Sequence, residues 1–314
     1  MKNRKTVIAI IAVASLFILS VAKDVIIKSV VTTVAGHVMG TRVTAGGLHL
    51  GIFTGSVHIK GFKVYNPQGF PDGVLLDMPL IKVKCRLPAL LKNKIDLSLV
   101  DIHLKQLIVI KSKEGKLNVD ALKVSQKEGA APKNKQKTMG FHIDLFNLEI
   151  GRVVNKDLSQ GPKPFIEAYE VNFKKTYKNI NSPNQLAALV LMGSLEQTAI
   201  KGAKIYGVAA LAGVAILPVG IASMFAGKDH VSADFKYGFD RVFDAATAAA
   251  NELGNITSSD RATGNIKLQV YGADAEIKIS KGPKINITIS ARKYLFPKPE
   301  IAAGILYEVS EKLK

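Results

Sequence analysis

The run IDLSLVDIHLKQLIVI, Ile95–Ile110, decides what kind of fold this chain builds. Its first half alternates apolar and polar residues through Ile95, Leu97 and Leu99, and its second half resumes the alternation at Ile102 and Leu104 in the opposite phase. A period of two marks a β-strand with one buried and one wet face. The change of phase predicts a bulge or turn at Val100-Asp101. The same alternation extends outward on both sides. Upstream it runs through Val43, Ala45, Leu48, Leu50 and Ile52, then Val57, Ile59, Phe62 and Val64, then Ile81, Val83 and Cys85 opposite Leu80, Lys82 and Lys84. Downstream, Phe141–Val154 and Pro164–Lys175 read as two more strands. Asn66-Pro67, Phe70-Pro71-Asp72-Gly73 and Glu114-Gly115 mark turns. The Lys-, Gln- and Ala-rich stretch 123–139 reads as a solvated linker. Residues 41–180 therefore form a β-rich domain.

Ahead of it, Lys2, Arg4 and Lys5 precede the uncharged stretch Thr6–Ala22, which contains Ile8, Ile10, Ile11, Val13, Leu16, Phe17, Ile18 and Leu19. A basic flank and an apolar run predict a membrane anchor with the following domain on the outer side. Ser20-x-Ala22 also resembles a cleavage site, so an uncleaved signal-anchor and a cleaved leader are both open. Ile26, Val30, Val34 and Val38 recur at a spacing of four, which predicts a helix continuing to about Gly40. Residues 1–40 form the first segment of the chain.

Within residues 1–175, Ile59-x-Gly61-x-x-Val64-x-Asn66-Pro67 with Gly69-Phe70, and Gly115-Lys116-Leu117-Asn118-Val119-Asp120-Ala121-Leu122, resemble the start of an AsmA-family envelope protein. The second element stands where that family has G-x-x-N-x-x-x-L. The resemblance implies a bacterial inner-membrane anchor, a periplasmic β-rich domain, and a role in lipid handling or outer-membrane and envelope assembly. A strand rises about 3.3 Å per residue, so this domain is too short to cross a periplasm by itself.

Residues 181–227 open with a helix from Ser182-Pro183 and run into a second uncharged segment, Ile205–Ala226. It carries Val208, Leu211, Val214, Ile216, Leu217, Pro218 and Ile221 among several glycines. Its length suits a spanning helix, Pro218 suits a bent hairpin, and its small residues suit buried helices; the three readings stand together.

Residues 228–314 alternate between periods. Val231–Tyr237 reads as a strand, Phe239–Leu253 as an amphipathic helix stopped by Gly254, and Ile266–Val270, Ala275–Ile279 and Ile285–Ala291 as strands before a closing helix at Pro297–Lys314. The order βαβββα predicts a small sandwich, and the whole chain an α+β protein with an N-terminal membrane helix. Leu253-Gly254, Asp260-Arg261-x-Thr263-Gly264-x-Ile266 and Ala291-Arg292-Lys293 resemble a family of small bacterial envelope proteins of unknown function. That resemblance implies a location and a fold but no reaction, and the side of the membrane on which this domain lies stays open.

No chemistry is legible. Gly46-Gly47-x-x-x-Gly51 lacks the Lys-Ser/Thr of a phosphate loop, the six histidines form no metal-ligand spacing, and no G-x-S-x-G occurs. The chain is read as a non-enzyme without cofactor or metal. Its 43 Lys+Arg against 25 Asp+Glu give a net charge of +18, which attracts an anionic partner. The lysines are dispersed and no basic helix or aromatic-interleaved strand appears, so nucleic acid is not expected. Membrane lipids, a lipid ligand and a membrane-protein partner are the candidate partners, with Arg292 and Lys293 as a contact for an anionic headgroup. The alternative function is a scaffold of an inner-membrane complex.

Overall fold

In the computed structural model the described residues are 24–51, 53–90, 92–125, 140–195, 198, 229–294 and 296–314. They form a mixed α/β architecture, about 50% strand and 28% helix. They group into two compact units. The first takes residues up to Lys105 with Leu122–Ile150 and Phe173–Val190; the second takes Gln106–Ala121, Gly151–Asn172 and Leu191–Lys314.

The expected α+β fold with a membrane-spanning N-terminal helix is corrected here. Among the described residues no helix is long and apolar enough to cross a membrane. The helix at that end is described over residues 24–39, as α1. It carries Asp24 and Lys28, and Asp24 is tied to the sheet by the Leu50 N–H at 3.0 Å. Gly40, at φ 71°, ends α1 by donating its N–H to the Gly36 carbonyl at 2.8 Å. The anchor residues Ile8–Leu19 and the second apolar segment Val208–Ile221 lie outside the described residues.

One sheet contains β1 (Val43–Thr44), β2 (Gly47–Gly51), β3 (Ser56–Tyr65), β4 (Val74–Cys85), β5 (Lys94–Lys111), β6 (Gly140–Asp157) and β7 (Phe165–Ile180). Its order is β1-β3-β4-β5-β6-β7, with β2 also on β3. β3 and β4 pair antiparallel from Ser56↔Lys84 to Tyr65↔Val74, and β2 pairs with β3 from Gly47↔Lys60 to Gly51↔Ser56. A short α2 (Leu87–Leu90) links β4 to β5.

β5 runs as one strand from Lys94 to Lys111, so no turn interrupts it at Val100-Asp101. Val100, Ile102 and Leu104 are buried, whereas Ile95, Leu97, Leu99 and Asp101 are half-buried and His103 is exposed. From Gln106 to Ile110 both faces are buried, so alternation stops where the wet face stops.

Within the second unit, the loop after β6 is fixed by Asp157, 5% exposed. Its carboxylate accepts from the Ser159 N–H (2.8 Å) and hydroxyl (2.6 Å), Gln160 (2.9 Å) and the Lys111 ammonium (3.2 Å). Burial by itself pushes this carboxyl up, but those hydrogen bonds outweigh it and hold it below the usual carboxylate range. A lowered folded pKa contributes stability that is present above the ordinary Asp value near 3.9 and is lost as pH falls through the folded value. Asp157→Asn is expected to cost about 2 kcal/mol at neutral pH, with the gap to wild type closing below about pH 4 in urea unfolding followed by circular dichroism.

α3 (Pro183–Leu195) is buried on every side from Ala188 to Leu195. The C-terminal part then differs from the expected βαβββα order. It holds β8 (His230–Phe235), α4 (Phe239–Leu253), β9 (Asn255–Asp260), β10 (Asn265–Val270), β11 (Ala273–Ser280), β12 (Ile285–Lys293), β13 (Phe296–Pro297) and α5 (Pro299–Lys312). The sheet order is β13-β12-β11-β10-β9, with β8 on β12. The unforeseen β9 is a polar edge strand, NITSSD, on which every residue but Ile256 is exposed, so it lacks the alternation by which strands are read. α4 and α5 pack on each other and on the sheet, with Val242, Phe243, Ala246, Ala249 and Ile305 buried beside Ile266, Leu268, Ile277, Ile287 and Ile289.

Candidate functional site

Arg292 and Lys293 end β12, paired with Pro297 and Phe296 of β13. Tyr294, at φ 57°, turns the chain between them, and Tyr294 and Phe296 are 88% and 72% exposed. Around this aromatic tip, Lys293 Nζ donates to the Tyr271 carbonyl at 3.4 Å, Arg292 lies 4.0 Å from Asp229, and Lys298 lies 3.5 Å from Glu300. Large exposed aromatics beside cations combine an apolar body with attraction to anions, the composition found where proteins meet lipid headgroups. The sequence singled out the two cations; the structure adds Phe296, which short β13 holds out of the core.

A second exposed aromatic lies in the first unit. Phe53, in the turn between β2 and β3, is fully exposed. Thr54, Gly55, Cys85, Arg86, Leu87, Pro88, Ala89, Lys92, Lys94 and Asp96 line an open cleft of about 640 Å³ beside it. Arg86 bridges Asp144 and Asp96, the latter at 2.7 Å, and the guanidinium holds both carboxyls below their usual range. Burial pushes the Cys85 thiol up, which keeps it protonated and unreactive. Sequence reasoning did not single out Phe53, although a phenylalanine between β-strands in Gly-Ile-Phe-Thr-Gly was a usable signal.

The polar strand face noted at Asp101 and His103 becomes two rows across the sheet. Asn147 donates to Asp101 at 2.7 Å and accepts from the Thr176 hydroxyl at 2.8 Å. Alongside, Glu149 meets the Lys174 ammonium at 3.3 Å and His103 at 3.6 Å, and Lys174 first, then His103, hold its carboxyl down. The hydroxyl of Thr176 is spent on an amide oxygen. The rows cross-link β5, β6 and β7 through the Glu149–Lys174 ion pair and the hydrogen bonds of Asn147. Among the described residues no three His, Cys, Asp or Glu side chains converge as a metal site.

Other perturbed groups belong to packing in the second unit. Burial raises Glu167, Tyr169 and Tyr307, and Glu167 accepts from Asn155 at 3.1 Å. Lys163 donates to the Asn251 carbonyl at 2.7 Å and to the Gly254 carbonyl, placing a cation on the C-terminal end of α4, which has no basic residue of its own there.

No family model matches this chain, and no curated protein matches it. Functional argument therefore rests on the sites themselves.

Proposed function

We propose that this is a non-catalytic, AsmA-like protein of the bacterial cell envelope that handles lipid or supports envelope assembly at the inner membrane. The observation that carries the reading is the aromatic tip of Tyr294 and Phe296 set among Arg292, Lys293 and Lys298. A net charge of +18 supports an anionic partner for the whole chain. The polar rows on β5, β6 and β7 support a non-catalytic reading, because Glu149 is paired with Lys174 and Asp101 is hydrogen-bonded to Asn147. The first domain on the periplasmic side is part of the proposal and rests on the charge pattern of the first residues.

The test is capture of a photoactivatable phosphatidylglycerol analogue by delipidated full-length protein. Covalent capture is expected, and Arg292→Ala with Lys293→Ala is expected to weaken it roughly thirtyfold, each cation near an anionic surface being worth about 1 kcal/mol. No capture by the wild-type chain would remove the lipid role.

A further inference from the structure

The geometry points to an orientation for the first unit: it stands on an anionic lipid surface on the end that carries Phe53, with its strands rising away from the lipid. This rests on the lipid reading above and names which end of the unit meets the membrane.

The direction of α1 fixes the argument. Within it, Asp24 accepts from the Leu50 N–H at 3.0 Å and lies 3.3 Å from the His49 ring. Just past its end, the Thr41 hydroxyl donates to the carbonyls of Tyr65 and Asn66 at 3.1 and 3.0 Å. Leu50 pairs with Val57, whereas Tyr65 closes β3, eight residues further along the same strand. At about 3.3 Å per residue that separation is roughly 26 Å, which matches the helical rise from Asp24 to Thr41 at about 1.5 Å per residue. α1 therefore lies along the strands, with Asp24 at the Phe53 end and its last turn at the Asn66 end. Whatever precedes Asp24 joins the described fold at the Phe53 end, and the sequence there is the uncharged stretch Thr6–Ala22.

That end also carries the matching side chains. Phe53 is fully exposed, and Val25 and Ile26, the residues after Asp24, are 58% and 62% exposed, at the head of an exposed stripe that continues along α1 through Val30 and Val34. Strand register brings Lys84 opposite Ser56, and the connection to β5 adds Arg86, Lys92 and Lys94. Asp96 and Asp144 are already taken up by Arg86, and Lys94 shares Asp96 at 3.4 Å. Lys84 and Lys92 make no ion pair among the described residues. At the opposite end the turn Asn66-Pro67-Gln68-Gly69-Phe70-Pro71-Asp72-Gly73 contains an aspartate and no cation, and Arg42 lies over the Tyr65 ring, 3.7 Å from its centroid. An exposed aromatic tip, exposed apolar residues of α1 and uncompensated lysines suit acyl chains overlaid by anionic headgroups. A nucleic acid would use the lysines and leave Phe53, Val25 and Ile26 without a partner.

The chain has no tryptophan, so Phe53→Trp and Phe70→Trp each create a single reporter, one at each end of the unit. Full-length protein carrying either change is mixed with vesicles of brominated phosphatidylcholine, with or without phosphatidylglycerol. Phe53→Trp is expected to shift to the blue and be quenched in the phosphatidylglycerol vesicles, less so as salt rises, while Phe70→Trp is unchanged. Adding Lys84→Ala and Lys92→Ala is expected to weaken the quenched association roughly thirtyfold. Quenching of both reporters alike, or of neither in a protein that still captures the photoactivatable lipid, overturns the orientation and leaves the lipid reading standing. Quenching of Phe53→Trp that ignores phosphatidylglycerol overturns the anionic preference. Loss of lipid capture overturns both.

Discussion

Gly304→Val is expected to destabilise the protein by about 3 kcal/mol or more, the largest effect of any single substitution considered. α5 passes β7 so closely that a Cβ on Gly304 would sit 2.0 Å from the Ile166 carbonyl oxygen, 2.7 Å from its carbon and 3.2 Å from Glu167 Cα. All three are backbone atoms, which cannot swing aside as a flexible side chain would. α5 would have to move by more than an ångström, and its other contacts oppose that. Ile301, Ala302, Ile305 and Val309 are buried, Tyr307 lies under the Lys156 ammonium at 5.0 Å, and Glu308 is held between Lys156 at 3.5 Å and Lys312 at 3.8 Å.

Gly304→Ala gives the cleaner measurement because the alternatives predict opposite signs. In an open helix, replacing glycine by alanine stabilises by about 1 kcal/mol. Against the Ile166 carbonyl it is expected to destabilise, and a lowered urea midpoint by circular dichroism would show it. A raised midpoint would mean that α5 does not rest on β7.

The contrast between Gly304 and β5 explains what the sequence could tell. Strands with one wet face announce themselves, because water forces polar residues into every second position; β3, β4 and the first part of β5 were readable for that reason. The amphipathic α4 was readable by the same logic at a period of 3.6. Where both faces are covered, as from Gln106 to Ile110, or where neither is, as in β9, the pattern carries no phase to read. The expectation of a turn at Val100-Asp101 came from reading the change of phase as an end of the strand, and β5 runs on through it. Ala302-Ala303-Gly304 signals only smallness, and the backbone that requires it, at Ile166, is remote in sequence.

Candidate sites follow the same division. Arg292 and Lys293 could be named from sequence because cations beside Tyr294 form a local pattern. Phe53 depends on exposure, and the common end shared by Phe53, Asp24 and Lys92 depends on the direction of α1. Neither is written in a local pattern. Lys163 shows the limit most sharply: a lysine between two prolines looks like loop, and only the fold brings it to the carbonyls at the end of α4.

Asn118→Ala is expected to cost about 3 kcal/mol, and here the sequence marked the position without revealing its task. Asn118 is fully buried in a 3₁₀ turn, Asn118–Ala121. Its amide oxygen accepts from the N–H groups of Ile110 and Val119, both at 2.9 Å, and its amide nitrogen donates to the Ile108 carbonyl at 3.0 Å. The side chain thus serves β5 as a short extra strand would, satisfying a donor and an acceptor at Ile110 and Ile108. Alanine leaves these groups buried without that partner, and each such loss costs about 1–3 kcal/mol. Asn118→Asp separates hydrogen bonding from packing, since the shape is kept. An ionised carboxylate accepts from both N–H groups but faces the Ile108 carbonyl with a lone pair, whereas a protonated one donates to it. Burial and that carbonyl both raise the carboxyl's pKa, so the variant's stability is greatest at low pH and is lost as pH rises through the raised value. Urea midpoints of Asn118→Asp, measured relative to wild type from pH 4 to 8, are therefore expected to fall with rising pH. A flat difference would show that the Ile108 carbonyl does not need the Asn118 amide.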